Sequence, residues 1–230
     1  MALRDLPTTI SHLNISIEST YCREALSPSL WRKVYQDQGI HICSKLALAL
    51  PRLEHLQYTG RICHHFFDIA SWAATQRDTR GNYTLKSLDI IVKNTCRPSN
   101  VWQDGSGISD WAFIQTFERL VASGVRALEV FKALKFLRIR FIDLDSQFPL
   151  LNPFFQLKDN VCTGLWSDDI VSTLASVRPA ARFPELSEDL GLLLDGTGKV
   201  ADPQPTMARM RPTSMKFSSY EMIADPMTIN

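Results

Sequence analysis

Leu85-Lys86-Ser87-Leu88-Asp89-Ile90 runs on into Ile91-Val92, and this stretch has the pattern of a strand buried on one face. The order is an apolar residue, two others, leucine, one other, then an apolar residue. Leu88 and Ile90 stand two apart, so in an extended chain they share one face while Ser87 and Asp89 take the other. Leu85 plugs the core where the chain turns into the strand. The β-branched Ile90 and Val92 favour strand. The arrangement occurs three more times: Ile10-Ser11-His12-Leu13-Asn14-Ile15, Leu53-Glu54-His55-Leu56-Gln57-Tyr58 and Leu134-Lys135-Phe136-Leu137-Arg138-Ile139. Ile17, Val92 and Phe141 extend three of the four on the same face.

Helical segments fall between these strands. Pro28 and Ser29 open one that runs to about Leu50, with Leu30, Val34, Ile42, Leu46 and Leu50 on an approximate stripe. A second is predicted from His64 to Gln76, with Phe67, Ala70 and Ala74 inward. Ser109 or Asp110 caps a third, in which Ile114, Phe117, Val121 and Leu128 recur at near-helical spacing and Gly124 is a point for a bend. A fourth opens at Ser167, with Asp168 and Asp169 at its positive end, and stops before Pro179. Strands alternating with helices predict an α/β fold with a mainly parallel sheet and helical returns. The motif leucines are 43, 32 and 49 residues apart. A regular leucine-rich repeat has a period of about 20–29 residues. The expectation is therefore an irregular leucine-rich-repeat-like solenoid, with an α/β sheet that only looks like one as the alternative. A repeat-like domain is assigned to 1–185. Half of the twelve prolines fall at Pro179 or later, and 186–230 reads as a loop-rich tail with one strand near 214–219.

The chain has 230 residues, with 25 basic against 24 acidic, a formal charge of +1. That balance gives no electrostatic reason for nucleic-acid or anionic-membrane binding. No apolar run approaches the ~18 residues that a membrane span needs, and the N-terminus has no signal-peptide core. Five scattered cysteines suit reduced thiols and a cytoplasmic or nuclear location.

Three blocks carry a family resemblance. They are Leu50-Pro51-Arg52-Leu53-Glu54-His55-Leu56-Gln57-Tyr58-Thr59-Gly60, then Asp104-Gly105-Ser106-Gly107-Ile108-Ser109-Asp110-Trp111, then 134–143 followed by Leu150-Leu151-Asn152-Pro153-Phe154-Phe155 and Gly164-Leu165-Trp166-Ser167. Over roughly residues 5–185 the chain resembles the leucine-rich-repeat portion of uncharacterised fungal F-box-type proteins. The resemblance implies an intracellular protein–protein interaction role related to ubiquitin-ligase substrate receptors. An F-box is a helical module, whereas Leu6-Pro7 is followed here by a strand-like run, so binding to a ligase core is not expected. A chain that opens on a strand implies an exposed sheet edge, and a fragment or a product without upstream repeats and F-box is expected.

Candidate chemistry is sparse. All five histidines precede residue 66, and a zinc site from His41, Cys43, Cys63 and His64 is conceivable by composition. The spacing fits no zinc signature, and adjacent helical His64 and His65 would point about 100° apart. Neither metal nor cofactor is expected. The glycine loop Gly105–Gly107 precedes a helix and defines the alternative function, a small enzyme with an anion-binding loop, but the phosphate-gripping lysine of a P-loop is missing. No nucleophile elbow is present, so no catalytic residue is assigned. Trp72 and Trp111 fit apolar helix faces and are expected in the core, while Trp102 is the surface candidate. Inward-pointing Leu13, Leu56, Leu88 and Leu137 turn their neighbours outward. Those are His12, Asn14, His55, Gln57, Ser87, Asp89, Phe136 and Arg138. His55, Gln57, Asp89 and Arg138 are the candidate partner-binding residues of a non-catalytic protein–protein recognition face.

Overall fold

A computed structural model describes residues 9–17, 42–77, 83–94, 107–143, 151–187 and 214–224. The four leucine-anchored segments are strands: β1 (His12–Ser16), β2 (His55–Arg61), β3 (Ser87–Asn94) and β4 (Phe136–Phe141). They lie side by side, parallel, in chain order. Within the motif the register is constant, Leu13 pairing with Leu56, Leu56 with Leu88, and Leu88 with Leu137, and it shifts only past it, between Gly60 and Arg61 on β2. The turn into each strand is built the same way. The Ser11 carbonyl accepts from the amides of Glu54 and His55, at 2.8 and 3.0 Å. The Glu54 carbonyl accepts from Lys86 and Ser87, and the Lys86 carbonyl from Lys135 and Phe136. Position two of the motif thus clamps the unit that follows it.

Two antiparallel strands continue the sheet, β5 (Phe154–Lys158) and β6 (Val161–Trp166). A two-residue turn, Asp159-Asn160, joins them, with Asp159 at φ 54°. The two-residue β7 (Met215–Lys216) pairs with β6 in parallel. The result is an open, mostly parallel seven-stranded sheet in sequential order. Among the described residues nothing pairs with the outer edge of β1.

The helices cover one face. They are α1 (Ile42–Ala49), α2 (His65–Arg77), α3 (Trp111–Ala127), α4 (Asp168–Val177), the short α5 (Pro184–Ser187) and α6 (Phe217–Ala224). A 3₁₀ turn, Leu50–Arg52, ends α1. Neighbouring helices α1 to α4 touch in chain order. Leu56, Leu88 and Leu137 are buried beneath them, as are Tyr58, Ile90 and Ile139. Each buried leucine contributes about 2 kcal/mol. Leu53, Leu85 and Leu134 are buried at the turns into β2, β3 and β4.

Some expectations are narrowed, one falls partly outside the described residues, and others are corrected. The helix begun at Pro28 is seen only as α1, since 28–41 lies outside the described residues. Gly124 does not interrupt α3; it leaves room for the Phe67 ring and Ile139, which a Cβ there would meet at 3.1 and 3.3 Å. Asp110, not Ser109, caps α3, accepting from Ala112 and Phe113. Trp72 is 59% exposed. It lies about 200° around α2 from the buried Ala70 and Ala74, so its apolar type is outvoted by its position. Trp111 is half-buried and stacks on Phe217 at 4.8 Å between ring centroids. Only Met215 and Lys216 of the late apolar stretch are strand; helix α6 begins at Phe217 and buries Tyr220.

Candidate functional site

The face opposite the helices is set by the pleat. Leucine at one phase of each strand sends the flanking positions outward, and the shared register turns them into rows. Asn14, Gln57, Asp89 and Arg138 form one row, and the antiparallel strands add Gln156 and Thr163 to it. Six neighbouring strands make it about 24 Å long at the usual strand spacing. Three of the four candidate residues, Gln57, Asp89 and Arg138, stand in this row. His55 stands in the adjacent one, with His12, Ser87 and Phe136.

Asp89 and Arg138 are the fixed centre. Arg138 donates from Nε to Asp89 Oδ1 at 3.0 Å and from Nη2 to Oδ2 at 2.5 Å. This fork-on-carboxylate arrangement fixes orientation as well as charge. The hydrogen bond that Arg138 donates to Asp89 holds its guanidinium above the ordinary pKa, against the opposing effect of burial. The Phe136 ring lies 5.3 Å beneath the Arg138 guanidinium carbon. Arg140, two residues on and therefore on the same face, reaches Asp89 Oδ2 at 3.5 Å. Its Nε is buried without a hydrogen-bond partner among the described residues. One carboxylate thus serves two guanidinium groups, and Lys158 adds a further cation on β5.

At the β1 end, His12 and His55 stack with centroids 4.3 Å apart and planes 17° from parallel. At the rim, Lys86 donates to Glu54 at 2.7 Å, joining β2 to β3 at the clamping position. That hydrogen bond, then the Lys86 charge, holds the exposed Glu54 carboxyl below its ordinary value.

Sequence reasoning missed Arg140, Gln156 and Thr163. Alternation alone would have found Arg140, since it repeats the phase of Arg138. Gln156 and Thr163 needed the hairpin, whose signal is the Asp159-Asn160 pair between two strand-like runs.

The glycine loop is described only from Gly107 onward, and Gly105 lies outside the described residues. Gly107 has φ +114°, and a Cβ there would meet Asp143 Oδ2 at 3.7 Å. The Asp110 carboxylate already takes the free amides at the start of α3. Two carboxylates around that helix end repel an anion rather than cradle one.

His64 and His65 do not diverge as helical neighbours would. His64 sits in the turn before α2, and its ring centroid lies 4.2 Å from that of His65. His41 of the conceivable zinc set lies outside the described residues. Cys43, Cys63 and Cys162 are buried.

No family model matches the chain, and neither a curated protein nor a solved structure matches it significantly. Among the described residues no helix is long and apolar enough to cross a membrane.

Proposed function

We propose that this chain is a non-catalytic recognition module of the leucine-rich-repeat-like, irregular solenoid kind, and that it binds a protein partner across the open sheet face. The observation that carries this reading is the recurrence at three successive strand interfaces. Each has the same leucine register and the same pair of amides clamped by position two of the motif. Extended faces built by such repetition are what repeat proteins use to bind proteins. The resemblance to the repeat portion of F-box-type proteins agrees with this and suggests kinship with substrate receptors of ubiquitin ligases. Arg138, Arg140 and Lys158 outnumber Asp89 in the central rows, so the partner surface carries acidic side chains. His55, Gln57, Asp89 and Arg138 are its anchors, with Phe136 as the apolar contact among them.

Affinity purification with the full chain tests this. The variant His55→Ala/Gln57→Ala/Asp89→Ala/Arg138→Ala loses the partner, while Trp72→Ala on the helix side retains it. Because Asp89 also supports the fold, Gln57→Trp serves as a second variant: it adds bulk at an exposed position and leaves the Asp89 pair untouched. Recovery of the same partner by both face variants would refute the proposal.

A further inference from the structure

We propose that His64, His65 and Asp68, at the start of α2, form a binding site for a divalent first-row transition ion, Zn²⁺ by ligand type. Local geometry brings the three together. His65 and Asp68 are three apart on a helix and so share a face. His64 precedes the helix, its carbonyl accepting from the amides of Phe67 and Asp68 at 3.0 and 3.3 Å. His64 lies in the turn just before the helix, and the roughly 100° spacing holds only between residues within it. The two imidazoles therefore lie side by side, 4.2 Å between centroids and tilted by 37°. Two imidazoles bound to one ion at 2.0–2.1 Å have centroids about 5 Å apart, so little movement is needed. Asp68 Oδ2 lies 3.7 Å from His65 Nδ1. One donor atom from each of the three residues lies within 4.8 Å of the others.

The set is held rigidly and is still open to solvent. Phe66 and Phe67, between the ligands, are fully buried and pin this turn to the core. His65 and Asp68 keep about half of their side chains exposed, at 55% and 46%. His64 Nδ1 is buried and has no hydrogen-bond partner among the described residues, so no hydrogen bond there commits the ring elsewhere. Two imidazoles and one carboxylate suit zinc, nickel, copper or iron, whereas calcium and magnesium require mostly oxygen ligands. The positive end of α2 opposes a cation, and Asp68, within the first turn, supplies the compensating charge. Remaining coordination positions go to water, as in open zinc sites.

The test is calorimetric titration of the untagged full chain with Zn²⁺, together with absorption spectroscopy using Co²⁺. One equivalent binds, and the cobalt spectrum carries d–d bands without a thiolate charge-transfer band. His64→Ala or His65→Ala weakens binding at least about tenfold, and Asp68→Asn weakens it by about the same factor. His12→Ala/His55→Ala, which removes the other histidine pair, leaves binding intact. Circular dichroism of each variant checks the fold, and His65→Gln repeats the test with a milder change. Absence of binding, affinity unchanged in His64→Ala/His65→Ala, loss in the His12/His55 variant, or a thiolate band would each overturn the proposal.

Discussion

Arg138 holds Asp89 across the β3–β4 boundary with two hydrogen bonds, between residues 49 apart in sequence. The pair is only partly exposed, at 31% and 13% of the side chains, so solvent screens it less than a surface pair. It fixes the centre of the open face and joins two strands that the leucine core already aligns.

Removing Asp89 leaves Arg138 and Arg140 facing each other with no counter-charge. Asp89→Ala is expected to cost about 2–3 kcal/mol, more than Arg138→Ala. Chemical denaturation of both single variants and the double variant closes a cycle with a coupling of about 1–2 kcal/mol. A coupling near zero would mean that the contact is ornamental.

Glu54 gives a pH dependence of known sign. Its folded pKa lies below the ordinary 4.5, because Lys86 stabilises the charged form. The unfolded chain therefore binds more protons in the window between the two values. The stabilisation is fully present above pH 4.5 and is lost as pH falls through the folded value. Glu54→Gln removes that part of the slope, so its stability advantage or deficit against the parent stays constant above pH 4.5 and changes below it. Denaturation midpoints between pH 3 and pH 7 read this directly.

Cys162 reports on global unfolding. Burial pushes its thiol up to about 12, with Arg178 pulling weakly the other way. At pH 8 roughly one molecule in ten thousand carries the thiolate, and the side chain is fully buried. Alkylation mapped by peptide mass spectrometry is expected to spare Cys162 in the native protein and to reach it only with denaturant. Rapid native labelling would show that β6 opens independently of the rest of the sheet.

Gly164 is required at its place in β6. It has φ +98°, and a Cβ would collide with the Phe154 carbonyl oxygen on β5. Gly164→Ala is expected to cost about 2–4 kcal/mol, from left-handed strain and the backbone collision together. A thermal midpoint within a degree or two of the parent would contradict the β5–β6 pairing.

The sequence made the first four strands legible because leucine recurs at one phase of each, and a fixed phase determines both the buried face and the register. Asp89 and Arg138 followed as outward neighbours, although their ion pair did not, since alternation says nothing of side-chain reach. The β5–β6 hairpin was not read, because Phe154-Phe155-Gln156-Leu157 lacks the repeated motif. Trp72 was misread because residue type was given more weight than its angle to Ala70 and Ala74. The convergence of His64 and His65 was hidden by assigning both to the helix, whereas the helix begins at His65 and His64 lies in the turn before it.

On this reading the two adjacent rows that hold His55 and Phe136, and Gln57, Asp89 and Arg138, are the surface that meets a partner. Hydroxyl-radical footprinting of the chain, free and in its isolated complex, tests it most directly. Protection is expected at His55, Phe136 and Arg138, with Trp72 on the helical side as reactive as before. Protection at Trp72 with the sheet face unchanged would contradict it.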